Sequence, residues 1–379
     1  MKQALLTYGA TSLGSPLFSA DLLWRTGFSV PDPVHYFEID GKKILMLSSL
    51  EIERARSEAT VDEIVSLETF SKEGKPAATF LKERGIEEVL VSKTLPFSLG
   101  RELSQHFTVT IAQEPLFPER AIKMEEEVKE IEVAQRAVER AVGKARDFLR
   151  ACSVRETLLY QKTSLEPVAS QHLRKIIDDA LYEEGYLGVE TIVSCGKEAA
   201  DPHCMGYGNL KAREPIVLDV FPRSLTTLYF ADQTRTLFKG EPSEKLKKMY
   251  QAVLAAQELG ISRLRDGVKG SDIEKEVRTY FETQGYPTDI NSSPVKGFIH
   301  SLGHGVGIDI HEEPRLSVRH EAILQAGNVV TVEPGLYYQE EGKAYPAGGI
   351  RIEDMLLVTT DGSRNLTQFP KSLDHAIIE

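Results

Sequence analysis

Four stretches of this 379-residue chain set a carboxylate inside an otherwise apolar, strand-like run, and no other feature restricts its fold and chemistry so tightly. In Pro215–Pro222 (PIVLDVFP) the acid is Asp219. In Tyr229–Phe238 (YFADQTRTLF) it is Asp232, with Thr234 two residues on and so on the same strand face. In Val329–Gly335 (VVTVEPG) Glu333 closes a strand before Pro-Gly. In Gly349–Val358 (GIRIEDMLLV) Arg351 and Glu353 share one face, while Ile350 and Ile352 share the other. An ionised carboxylate in an apolar strand costs several kcal/mol unless a positive charge neutralises it. Arg235 and Arg351 are the only basic residues within these runs, too few for four acids. One or two divalent metal ions are the simplest counter-charge.

A nitrogen donor is suggested by Ser301–Gly307 (SLGHGVG), where glycines on both sides of His304 admit close backbone approach and leave the imidazole accessible. GHGVG is no phosphate loop, because the strand–GxGxxG–helix context is missing. Asp219, Asp232, His304, Glu333 and Glu353 together form a set of oxygen donors with one imidazole, suited to two divalent ions ~3.5–4 Å apart. Such hard ligands favour Mn²⁺ or Co²⁺, with Fe²⁺ and Zn²⁺ as further options. Cys204 beside His203 has no second cysteine at a spacing useful for zinc.

The rest of the composition narrows the partners. Lys and Arg number 45 against 57 Asp and Glu, a net charge of −12, and no block of basic residues occurs. Nucleic acid and a basic membrane anchor are therefore not expected. The start, MKQALLTYGATSLGSP, is too short in apolar residues for a signal peptide, and no run approaches the ~18 apolar residues of a membrane span. Cys152, Cys195 and Cys204 form no CxxC and cannot all pair, which predicts reduced thiols and a cytoplasmic setting.

The length predicts two or three domains at roughly 100–200 residues each. Residues 1–122 mix α and β. Val30–His35 (VPDPVH) reads as an extended, proline-braced loop, and Asp40-Gly41 as a hairpin turn into Lys42–Leu47. Lys75–Arg84 reads as a helix stopped by Gly85 before the strand Glu87–Val91. A long amphipathic helix within Ala121–Arg150 opens a second domain, residues 123–379. That domain contains an echo. One helix ends at Gly185-Tyr186 and leads through Val189–Val193 to His203. Another begins at a capping box, Ser271-Asp272-Ile273-Glu274, ends at Gly285-Tyr286 and leads to His300 and His304. A pseudo-twofold duplication would produce this.

The order Asp219, Asp232, His304, Glu333, Glu353 resembles the ligand signature of the pita-bread dimetal peptidases. LDVFP, YFADQTRT, HSLGHGVGIDIHEEP, TVEPGLY and GIRIED carry the likeness over about Ile216–Val358. The preceding domain, its connecting helix and Pro202-His203 resemble the prolidase and aminopeptidase P branch, the Xaa-Pro peptidases. Leu228 stands where that branch usually has glycine. The resemblance implies an α+β chain: an N-terminal creatinase-like α/β domain followed by a pita-bread catalytic domain. It implies hydrolysis of the peptide bond preceding proline by a hydroxide between two metals, as an Xaa-Pro dipeptidase or aminopeptidase acting on small peptides. Asp219 would chelate one ion, Asp232 and Glu353 would bridge both, and His304 and Glu333 would complete the other. Glu333 would also move the proton. His203 and His311 would hold the scissile carbonyl, His300 would lie on the substrate side, and Arg351 would orient Asp232 or meet a substrate carboxylate. Relatives of this branch are commonly homodimers, so a homodimer is expected, with Val30–His35 reaching toward the second subunit's site. Two other readings stand beside this one: a creatinase-like hydrolase that needs no metal, and a non-catalytic homologue that binds a protein. Loss of ligands would mark either.

Overall fold

The computed structural model describes residues 2–71, 74–162 and 164–379, and divides into two compact units, Met1–Arg120 and Ala121–Glu379. The first is built on strands β1 (Gln3–Gly9), β2 (Val34–Ile39), β3 (Lys42–Leu47), β4 (Glu63–Ser66), β5 (Glu88–Val91) and β6 (Thr108–Ile111), ordered β4-β3-β2-β1-β5-β6. Strands β1, β2 and β3 are antiparallel neighbours, and the outer pairings are parallel. Asp40 and Gly41, at φ +52° and +77°, make the tight turn between β2 and β3. Successive side chains face opposite ways, so both faces of the sheet are apolar. Phe37 and Ile39 pack with Phe80 and Leu81, whereas Val34 and Tyr36 pack with Leu22 and Phe28. Helices α1 (Ala20–Thr26), α2 (Ile52–Glu58), α3 (Leu67–Phe70), α4 (Pro76–Glu83) and α5 (Phe97–Leu103) supply the covering layers. Only part of Val30–His35 is a loop. Val34 and His35 open β2, and the His35 ring is buried 4.7 Å from that of Tyr8.

The second unit opens with α6 (Glu125–Ala151), which buries Ile131, Ala134, Val138, Ala141, Val142, Ala145 and Leu149 along one stripe. Glu127 of its first turn accepts the Met124 N–H at 2.7 Å. After the ribbon β7 (Ser153–Arg155) and β8 (Leu158–Tyr160) comes α7 (Ser170–Glu183), then β9 (Tyr186–Leu187), β10 (Ile192–Cys195), β11 (Ile216–Val220), β12 (Arg223–Ser224) and β13 (Gln233–Lys239). The second half repeats the plan with α8 (Glu244–Arg263), α9 (Gly270–Thr283), β14 (Gly303–Gly305), β15 (Glu312–Leu316), β16 (Val329–Val332), β17 (Gly335–Tyr338), β18 (Gly348–Arg351), β19 (Asp354–Val358) and β20 (Ser363–Asn365). A short α10 (Leu373–Ala376) and β21 (Ile377–Ile378) close the chain. The sheets run β10-β11-β13-β21 and β15-β14-β16-β19-β20. Gly185 and Gly285, both at φ +84°, follow α7 and α9 in the left-handed conformation that ends a helix. Among the described residues no helix is long and apolar enough to cross a membrane.

The capping box is not formed. Lys269 is the N-cap of α9, and Ser271 lies inside the first turn with its buried Oγ unpartnered among the described residues. A bridge from Lys269 to Ile323 holds the extended backbone two residues ahead of the expected cap, and Gly270 sits where a Cβ would meet Arg315 O at 2.7 Å. Glu274 accepts instead from Arg278 Nε at 2.8 Å and from the Val318 N–H.

Candidate metal centre

The two halves bring their carboxylates to one cavity of about 320 Å³. Asp219 comes from β11 and Asp232 from the residue before β13; Glu333 directly follows β16, and Glu353 lies between β18 and β19, just ahead of Asp354. Leu228, at φ +63°, is buried in the link between β12 and β13, so the position that favours glycine carries a leucine instead. All nine candidate residues line the cavity: Asp219, Asp232, His304, Glu333, Glu353 and, around them, His203, His300, His311 and Arg351.

His304 lies on β14 against β16. Its backbone N–H donates to Thr331 Oγ1 at 3.1 Å, and its ring Nδ1 is 3.1 Å from Gly305 O. A carbonyl can only accept, so the proton is on Nδ1 and the Nε2 lone pair points inward. Burial lowers this imidazole to about 4, which keeps it neutral. Nε2 nevertheless faces Glu333 Oε1 at 3.3 Å and Asp232 Oδ2 at 3.6 Å. Ligand atoms of Asp232, His304 and Glu353 all lie within 4.8 Å of one another.

The acids oppose one another as well as the medium. Burial and then the charges of Glu353 and Asp219 push the Asp232 carboxyl well above the usual range. Burial, then Glu333 and Asp219, do the same to Glu353. Burial raises Glu333 to about 8, with Arg351 opposing. Three acids and a neutral imidazole lone pair thus face one another, and Arg351, one of two arginines lining the cavity, is already engaged, its Nη2 holding Asp219 Oδ2 at 2.6 Å. The donor set fits divalent cations, which would satisfy acceptors that otherwise face acceptors.

Arg351 does more than the sequence suggests, and does it for Asp219 rather than Asp232. Its Nε donates to Thr234 Oγ1 at 3.0 Å, and Thr234 donates to Glu353 Oε2 at 2.9 Å. Its Nη1 donates to Tyr337 Oη at 2.8 Å, which leaves the Tyr337 hydroxyl to donate to His300 Nε2 at 2.9 Å; His300 Nδ1 in turn faces Ser301 O at 2.8 Å. Burial raises the Tyr337 phenol to about 12, so it stays a donor. Sequence reasoning missed Tyr337, although Glu333, Gly335 and Tyr337 are spaced two apart as one strand face would be. It also missed the brace behind Glu353. Arg235 donates to Glu353 O at 2.5 Å and to Asp354 Oδ1 at 2.7 Å, and Lys371 holds Asp354 Oδ2 at 2.6 Å. His203 and His311 are exposed at the rim, the His311 ring standing edge-on to that of His304 with centroids 4.4 Å apart.

Comparison with known proteins agrees with this arrangement. The chain is 33% identical to the uncharacterized peptidase YqhT of Bacillus subtilis over 257 residues, which span 67% of this chain and 64% of that one, just under two thirds of its length. It is 29% identical to the Xaa-Pro dipeptidase of Pyrococcus horikoshii over 89% of this chain and 88% of the relative. The solved structure of the Xaa-Pro dipeptidase from Bacillus anthracis superposes with a TM-score of 0.80 at 25% identity, over 99% of this chain and 94% of that one. The profile of metallopeptidase family M24 matches residues 129–360, which include every candidate ligand. With that match across more than half its length, the chain belongs to metallopeptidase family M24.

Proposed function

We propose that the chain is a divalent-metal-dependent hydrolase of the peptide bond preceding proline, an Xaa-Pro dipeptidase or Xaa-Pro aminopeptidase. The observation that carries the metal dependence is the neutral His304 Nε2 aimed at Asp232 and Glu333 in a cavity that already holds four carboxylates. Support for the proline preference is the likeness to Xaa-Pro dipeptidases over most of both chains.

Asp219, Asp232, His304, Glu333 and Glu353 would hold two divalent cations, Mn²⁺ or Co²⁺ by the hardness of the donors. Bound there, the cations would supply counter-charge and bring the ionisation of water toward neutral pH. The remaining work belongs to side chains. Glu333 is the partly buried acid at the cavity wall, suited to accept a proton from the attacking water and return it to the leaving amine. His203 and His311, at the rim, would donate to the scissile carbonyl as negative charge grows on its oxygen. His300 is held neutral, since burial and then Arg351 lower it to about 3, and with Arg351 it would form the substrate-side wall. The intact ligand set argues against a metal-free hydrolase or a purely binding homologue.

A homodimer is proposed from the branch resemblance. Three free thiols, Cys152, Cys195 and Cys204, support a reducing, cytoplasmic setting. One preparation assayed on an Xaa-Pro dipeptide and on an Xaa-Pro-Yaa tripeptide tests the reading and chooses between its forms. Cleavage of neither, with Mn²⁺ or Co²⁺ present, would refute it.

A further inference from the structure

The segment between His304 and His311 is fastened to its surroundings at three points. Phe230 N–H donates to Gly307 O at 2.8 Å, and Arg223 Nη2 donates to Ile308 O at 3.1 Å. The third point is Glu312, whose Oε1 accepts the Asp309 N–H at 3.0 Å. Its other oxygen meets Lys123 Nζ at 2.7 Å, and the two side chains are only 2% and 1% exposed. Gly307 lies directly against this carboxylate, where a Cβ would come within 2.5 Å of Oε2. Lys123 stands two residues ahead of α6, and its own N–H is bonded to Gly327 O at 2.8 Å.

A buried ion pair is an inefficient source of stability, because desolvation of both charges offsets their attraction. Its value here is geometric. The carboxylate it anchors belongs to the residue next to His311. Among the described residues the His311 ring makes no hydrogen bond, and its ring contact is the edge of His304, so the course of its backbone is what brings it to the rim.

We propose that Lys123 is a positioning residue for His311, setting through Glu312 the loop that presents the His311 ring at the cavity rim. This rests on the reading of His311 as a donor to the scissile carbonyl. Lys123→Met leaves Glu312 buried without its cation, which strains the fold as well as the loop. Lys123→Met combined with Glu312→Gln removes both charges, while the amide oxygen still accepts from Asp309.

The test uses the full chain carrying histidine labelled with ¹³C at Cε1, with the His311 signal identified by its loss in His311→Asn. In the double variant the melting temperature and bound metal are expected to stay at wild-type levels. The His311 signal should shift while that of His300 does not, and kcat should fall roughly 10–100-fold with KM little changed. A His311 signal at its wild-type position, or a wild-type kcat, overturns the proposal and makes the pair mere packing. Should the double variant not fold, Glu312→Gln alone decides on the same two readouts. A wild-type chain that cleaves no Xaa-Pro peptide would refute the functional reading, while the His311 signal would still decide the positioning.

Discussion

The imidazole of His304 turns Nε2 toward Glu333, 3.3 Å from Oε1, while its Nδ1 is committed to Gly305 O. A lone pair therefore faces a carboxylate at near-contact distance. Only a proton shared between them or a cation bound by both removes that conflict, and the two alternatives respond differently to metal and to pH.

Asp232→Ala and Glu353→Ala should each reduce bound divalent metal to background and abolish hydrolysis. Elemental analysis of dialysed protein, run beside the peptidase assay, checks this. Retention of wild-type metal and turnover by Asp232→Ala would place the ions elsewhere.

Metal-free protein should lose stability as pH rises. Glu333 sits at about 8 in the folded chain against 4.5 ordinarily, and Asp232 and Glu353 are raised as well. The folded state then binds more protons than the unfolded one, so this contribution is complete below 4.5 and disappears as pH rises through 8. His304, lowered to about 4, acts in the opposite sense, but only below its ordinary 6.5. Between about pH 6.5 and 8 the carboxylates decide the sign. Calorimetry of chelator-treated protein should show a falling melting temperature across that window, and saturating Mn²⁺ should abolish the fall.

His203→Ala should leave metal content intact and lower kcat by roughly 10²–10³-fold, the effect of losing one donor to a developing oxyanion. Metal lost together with activity would instead make His203 a ligand or a folding residue.

Tyr337→Phe removes the hydroxyl that joins Arg351 to His300. His300 Nε2 would then be a buried acceptor without a donor, at a cost of about 1–3 kcal/mol of stability. We expect kcat/KM to drop roughly 10–100-fold with metal binding unchanged. Kinetics with parallel metal analysis would reveal it, and an unaltered kcat/KM would reduce Tyr337 to a packing residue.

Much of this centre is legible in the sequence because the physics behind it is local. Carboxylates at Asp219, Asp232, Glu333 and Glu353 stand out against apolar strands, and the glycines around His304 announce close backbone approach, although the ring they flank is buried rather than open to solvent. The stripe of α6 and the glycines that end α7 and α9 follow from helical period and backbone sterics, which need no partner to be recognised. Tertiary structure alone decided the pairings. Arg351 meets Asp219 across 132 residues, Arg235 braces Asp354 across 119, and Lys123 reaches Glu312 across 189. It also moved the start of α9 ahead of Ser271, to Gly270, since a bridge from Lys269 to Ile323 outweighs a local hydroxyl cap. Composition and period declare which side chains are costly to bury. Which opposite charge relieves each of them depends on how separate strands and loops are brought together, and that is settled only when the chain folds.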